Sequence, residues 1–159
     1  MKKCILLVML LLCTVGPTRA ESPGVRHWEV EQDLVSTYKS MYNALEEKKF
    51  FVVFEPNIGR NLERFAERWG EDYNRNRLTG IRSLVFCHAW YANQVSNRDP
   101  ELLSLCPLHI TLYQQGASTH IVFTRPTHVG VGSAAMPLLE ELEAAVSAAV
   151  QAGIDAVGD

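Results

Sequence analysis

The sequence predicts an α+β fold, a two-layer sandwich in which a roughly four-stranded sheet packs its helices on one face. Three observations predict it. Helical and strand periodicities alternate along the chain, in the order helix, strand, helix, strand, helix, strand, strand, helix. Residues 108–123 read as a β-hairpin, which makes two of the strands antiparallel neighbours. Finally, removal of an N-terminal leader at 1–20 from the 159 residues leaves 139, the size of one ordinary domain with a proper core.

Residues 21–29 are polar, contain Pro23 and Gly24, and read as a loose leader to the domain. Val30, Leu34, Met41 and Leu45, with Tyr38 and Tyr42 beside them, recur at helical spacing and predict a helix over about 30–47. Lys48 and Lys49 close it near the negative end of the helix dipole. Phe50 to Phe54 is an unbroken aromatic and β-branched run, a strand buried on both faces, which Pro56 ends. Asn57 is a candidate N-cap for a second helix through about Tyr73. Its inward stripe is Leu62, Phe65, Ala66 and Trp69. Arg60, Arg64 and Arg68 repeat every fourth residue on the outside; with Glu63, Glu67 and Glu71 three residues after each arginine, they read as a solvated face of exposed ion pairs rather than an anion grip.

Residues 74–80 are loop-like, and Ile81 to His88 form the next strand. Asp99-Pro100 is an N-cap followed by proline at the first helical position, so 90–105 reads as two short helical pieces. Leu108, Ile110 and Leu112 alternate with His109, Thr111 and Tyr113, a turn at Gln115-Gly116 follows, and Ala117 to Phe123 return as the partner strand. Residues 125–132 are a loop. Ser133 to about Ala152 is an alanine-rich amphipathic helix that Gly153 stops, with Glu140, Glu141 and Glu143 as a solvated face.

The leader reads as a cleaved signal peptide. Lys2 and Lys3 are its basic start, Ile5 to Leu12 its apolar stretch, and Thr18-Arg19-Ala20 its cleavage site, with the cut after Ala20. The apolar stretch is shorter than the ~20 residues of a membrane span, so the expectation is a soluble exported, periplasmic protein. Cleavage takes Lys2, Lys3 and Arg19, so the 15 basic residues become 12 against 18 acidic ones, and the formal charge −6 rather than −3. That balance argues against nucleic acid as a partner, because binding phosphates takes a net basic face. No later segment is long and apolar enough to cross a bilayer.

Cys4 and Cys13 leave with the signal, and Cys87 and Cys106 remain. In an oxidising compartment they make a disulfide candidate, enclosing a loop of 18 residues; two buried free thiols, or a thiol/disulfide redox or metal role, stand as alternatives. Strand parity places His109, Thr111, Tyr113, Ser118 and His120 together on the polar face of the hairpin, as a ligand or subunit face, with Thr111 opposite His120 and Tyr113 opposite Ser118. If His88 shares that face, His88, His109 and His120 make a candidate Zn²⁺ or Cu²⁺ site. A mixed site of Cys87, His88, Cys106 and His109 is disfavoured because adjacent strand residues point to opposite faces. There is no G-x-S-x-G, H-E-x-x-H, Walker loop or C-x-x-C, and Gly130-Val131-Gly132 lacks the strand-to-helix context of a dinucleotide site.

The strand end Leu84-Val85-Phe86-Cys87, the helical stretch with Asp99-Pro100, and Leu105-Cys106-Pro107 leading into the strand Leu108 to Tyr113 and a hairpin resemble the DUF302 family, a domain of unknown function. The resemblance covers residues 49–125; this chain has His88-Ala89-Trp90 where many relatives have Asn-Pro, and Cys106-Pro107 where many have Leu-Pro. It implies that 30–157 is a single small α/β domain, often paired as a homodimer, and brings no agreed activity. The reading that results is an exported binding or accessory protein without catalytic turnover, with an unknown small ligand or protein as partner. Its alternatives are a redox protein or enzyme on Cys87 and Cys106 and a metal-binding protein on the histidines.

Overall fold

A computed structural model describes residues 22–158; the predicted signal peptide lies outside the described residues. Strands β1 (Val25–Val30), β2 (Phe51–Phe54), β3 (Gly80–Cys87), β4 (Leu108–Gln115) and β5 (Ser118–Thr124) form one antiparallel sheet in the order β1-β5-β4-β3-β2. The helices are α1 (Leu34–Glu47), α2 (Ile58–Glu63), α3 (Ala66–Trp69), α4 (Ala89–Arg98), α5 (Pro126–Val129) and α6 (Met136–Gly158), with 3-10 turns at Gly70–Asp72 and Pro100–Leu105. The α+β sandwich is as predicted, with five strands in place of four.

One face of the sheet makes the core. Leu84, Phe86, Leu108, Ile110, Leu112, Ile121 and Phe123 point from the three central strands into α1, α4 and α6, which answer with Met41, Leu45, Val95, Leu139, Leu142, Val146 and Val150. Asp33 begins α1, its carboxylate accepting from the amides of Val35 and Ser36 at 2.9 and 3.0 Å, which moves the start of the helix from the predicted 30 to 34.

The extra strand is β1, where a loose leader was expected. Arg26, Trp28 and Val30 stand opposite Phe123, Ile121 and Thr119 of β5 on the helix side, and His27 and Glu29 face the other way. Its alternation carries too few apolar residues to read as a strand until β5 lies beside it. Arg26 also anchors it: its Nε and that of Arg125 each donate to Glu143 Oε1 at 2.9 Å, and Thr127 donates to Oε2 through its hydroxyl at 2.5 Å. Glu143, expected on a solvated face, is therefore only 3% exposed. Burial by itself would raise its pKa; the bonds from Thr127, Arg26 and Arg125 outweigh that and hold the carboxyl below its ordinary value.

Further expectations need correction. The run Phe50 to Phe54 is not buried on both faces: Phe50 is buried, but Phe51, Val53 and Phe54 are 54–63% exposed because β2 is an edge strand with no sheet neighbour on its outer side. Gly153 does not stop α6, which runs on to Gly158; a Cβ at Gly153 would stand 2.6 Å from Met41 Cε and 3.3 Å from its Cα, so the glycine serves the close crossing of α1 and α6. The single helix through Tyr73 is broken into α2, α3 and a 3-10 turn, with Gly70 at φ +53°, and its supposed inward stripe stays open, Leu62, Phe65 and Trp69 being 36–43% exposed. The hairpin turns one residue later than predicted, at Gly116-Ala117, with Gln115 opposite Ser118. Gly116 at φ +63° supplies the positive dihedral that a two-residue hairpin turn demands at its first position.

Candidate functional site

The break in the second helical region builds a cavity of about 650 Å³ between α2, the Trp69–Thr79 segment and the first residues of β3. Its size is that of a small-ligand site. Asn57 caps α2 by accepting from the Arg60 amide at 2.9 Å. Gly59 lies flat on the sheet edge, since a Cβ there would come 3.1 Å from the Ile81 backbone nitrogen. The far wall is held by Asn74, at φ +47°, whose side chain bonds the backbone of Leu78 both ways, at 2.8 and 2.9 Å. Trp69, stacked on Phe65 with 5.1 Å between centroids, and Tyr73 supply aromatic surface, and Arg60 and Arg82 supply positive charge.

Arg82 is the chemically distinctive residue. It stands on the helix side of β3, opposite Leu112, and lays its guanidinium on the Tyr38 ring, 3.7 Å from the centroid. Its Nη2 lies 4.0 Å from Glu55 Oε2, while its Nε is buried with no hydrogen-bond partner among the described residues. Tyr38 completes the group, donating to Glu55 Oε2 at 2.7 Å. Burial first, and then the bond to Glu55, push its phenol well above the usual value of 10, so it stays protonated. The cavity thus offers a fixed cation beside flat aromatic surface. Of its residues, sequence reasoning noticed Arg60 and Trp69 but read them as a solvated face and a core stripe, and it passed over Arg82. Gly70 inside a helical pattern, followed by Asn-Arg-Asn-Arg, was the available sign that the helix would break.

The predicted polar face of the hairpin exists but is not uniform. Tyr113 stands opposite His120, Thr111 opposite Val122, and Ser118 opposite Gln115. The predicted register was off by one turn position, although parity, and so the shared face, survived. His120 is 8% exposed, stacked between Tyr113 (4.8 Å) and His27 (5.2 Å), with His27 Nε2 3.0 Å from its Nδ1. Thr111 pairs with Ser83, their hydroxyls 2.6 Å apart. His109 is exposed and opposite Val85, four residues along β4 from Tyr113, about 13 Å at 3.3 Å per residue. His88 lies beyond the end of β3, packed edge-on against Phe50 and Tyr91. The three histidines are not brought together, and among the described residues no three His, Cys, Asp or Glu are grouped to hold a metal.

Cys87 and Cys106 do come together. Both are free, half-buried thiols bordering one small cavity of about 10 Å³ with His88, Tyr91, Val95 and Leu142. Burial, and then the nearby charge of Cys87, raise the Cys106 pKa above its usual 9.0. His88 Nδ1 is buried with no hydrogen-bond partner among the described residues.

A family model described as a domain of unknown function, DUF302, matches residues 26–157. The fold is similar to that in the crystal structure of an uncharacterized conserved protein DUF302 from Bacillus stearothermophilus, with a TM-score of 0.70 and 18% identity over 82% of this chain and 98% of that one. At that identity the likeness concerns the fold alone. Nothing among the curated proteins matches, and no helix of the described residues is long and apolar enough to cross a membrane. With the family match running from β1 to the end of α6, this chain belongs to the DUF302 family, whose function is unknown.

Proposed function

We propose that this protein is exported and binds a small anionic ligand with a flat apolar portion in the cavity of Arg60, Trp69, Tyr73 and Arg82. The observation that carries the reading is Arg82, whose guanidinium is held in place by Tyr38 and Glu55 on the lining of a cavity of about 650 Å³. The fixed positive charge of Arg82, with Arg60 on the same lining, would hold a carboxylate or phosphate group. Trp69 and Tyr73 supply the surface for the ligand's flat part. Glu63 and Asp72, also on the rim, set an upper limit on the ligand's charge by repulsion; Asp72 is already paired with Arg75.

The test is a thermal-shift and tryptophan-emission screen of the full chain with small aromatic carboxylates and phosphate monoesters, repeated on Arg82→Ala. Binders should raise the unfolding temperature, and the substitution should weaken them roughly tenfold or more, the worth of one charge-assisted hydrogen bond. Binding that ignores Arg82→Ala, or a screen in which no compound shifts either signal, would overturn the assignment. Export has its own check. N-terminal sequencing of the protein released from expressing cells should begin at Glu21; an intact Met1 terminus held in the membrane fraction would refute cleavage.

A further inference from the structure

We propose that Cys87 and Cys106 are a reversible dithiol/disulfide pair that exchanges with low-molecular-weight disulfides, with His88 positioned as the base that takes the thiol proton. The register of the sheet brings the two residues to one end of the sheet, where both border one cavity. Phe86 of β3 stands opposite Leu108 of β4, so Cys87 continues one strand a single residue past that pair and Cys106 precedes the other by two. The chain between them leaves the sheet as α4 and the 3-10 turn Pro100–Leu105 and returns to the same point. Cys106 lies just outside the ladder of β4, where it caps the 3-10 turn with its amide donating to the Leu103 carbonyl at 2.9 Å.

The surroundings suit chemistry rather than packing alone. The shared cavity is small and its lining almost wholly apolar; Cys87, Cys106, His88 and Tyr91 border it beside Val95 and Leu142. It has room for about one water. An apolar lining disfavours the thiolate, the only form that attacks a disulfide, so the first step calls for a proton acceptor. His88 follows Cys87 directly in the chain, borders the cavity, and keeps its Nδ1 buried with no hydrogen-bond partner among the described residues.

The exchange balances. One cysteine thiol gives its proton to the imidazole, and its thiolate attacks the incoming disulfide RSSR, breaking the S–S bond and releasing RS⁻, which takes the proton from the imidazolium. The second cysteine, deprotonated in turn, attacks the protein sulfur of the mixed disulfide and expels the second RS⁻, which is again protonated. Two protein thiols are oxidised to one disulfide and RSSR is reduced to two RSH, with two electrons and two protons transferred. Excess RSH reverses the steps.

The test uses the full chain, reduced with dithiothreitol, desalted, exposed to oxidised glutathione near pH 8, quenched in acid, alkylated without reduction and cut with trypsin. Because the Arg125–Pro126 bond resists the protease, Cys87 and Cys106 fall in peptides 83–98 and 99–159, apart from Cys4 and Cys13 in peptide 4–19. The expected product is these two peptides joined. In Cys106→Ser the reaction should stop at a glutathione adduct on Cys87. Recovery of the two peptides separately from the unaltered chain, whether alkylated or carrying glutathione, would overturn the pair. His88→Asn should slow closure roughly tenfold or more near pH 7, with the gap narrowing as pH approaches the thiol's own titration. Closure at the unaltered rate throughout would remove His88 from the proposal.

Discussion

Glu143→Ala should destabilise the protein by about 3 kcal/mol, read as a lower denaturant midpoint at neutral pH. Four donors converge on this 3% exposed carboxylate, one each from Arg26 and Arg125 and the hydroxyl and amide of Thr127. Removing one partner of a buried charge pair costs about 3–5 kcal/mol when the other charge is left stranded. Here the arginines are 45% and 36% exposed and turn to water instead, which places the expected loss at the lower end. The larger consequence is local. Arg26 belongs to β1, an edge strand, so its loss of anchorage should raise amide exchange in β1 ahead of the rest of the sheet.

The same residue sets an acid dependence. The Glu143 carboxyl titrates below its ordinary 4.5 when folded, so on acidification the unfolded chain takes the proton first. Its contribution is whole above about pH 4.5 and disappears as pH falls through the folded value. The stability difference between the unaltered chain and Glu143→Gln should therefore be constant from neutral pH down to about 5 and shrink below 4.5. A difference that stays flat into strong acid would show that the carboxylate's bonds contribute nothing.

Phe86→Ala should have the largest effect of any single truncation, about 3–5 kcal/mol. Phe86 is fully buried at the centre of the sheet, between Val52 of β2 and Leu108 of β4, with Phe50 edge-on at 5.7 Å between centroids. Its ring fills the space between β3 and the layer of α1, α4 and α6, and those elements are pinned to one another, so the hole cannot close. For a domain of this size the loss corresponds to roughly 10–15 °C in unfolding temperature. A fall of only a few degrees would mean that the layers collapse around the missing ring.

How much of this was legible in the chain follows the range of the interactions. The Asn57 cap, the Asp99-Pro100 start, the hairpin and the long last helix were readable because caps, prolines and periodicity act within a few residues. The cavity was not. It exists because a helical pattern breaks at Gly70 and leaves Trp69 and Tyr73 facing space rather than core. Arg82 gave no local sign of being unusual, because its distinction lies in Tyr38 beneath it and Glu55 beside it. The cysteine pair was half legible: the chain showed two thiols, while the register of β3 against β4 made them neighbours.

By itself the sequence determined the class of fold, the apolar side of each central strand, and the family, since alternation of polarity and turn chemistry are written in adjacent residues. Tertiary structure decided the rest. Strand β1 became a strand only because β5 offered a free edge and Glu143 a partner for Arg26. Gly153 continued a helix that it would ordinarily end because Met41 needed the space. Glu143 turned inward because donors from two distant segments, β1 and the 125–127 stretch, met there, and the three histidines stayed apart because sharing a sheet does not bring residues within a metal's reach. Each of these depends on two segments far apart in the chain arriving at the same place, which no window of neighbouring residues encodes.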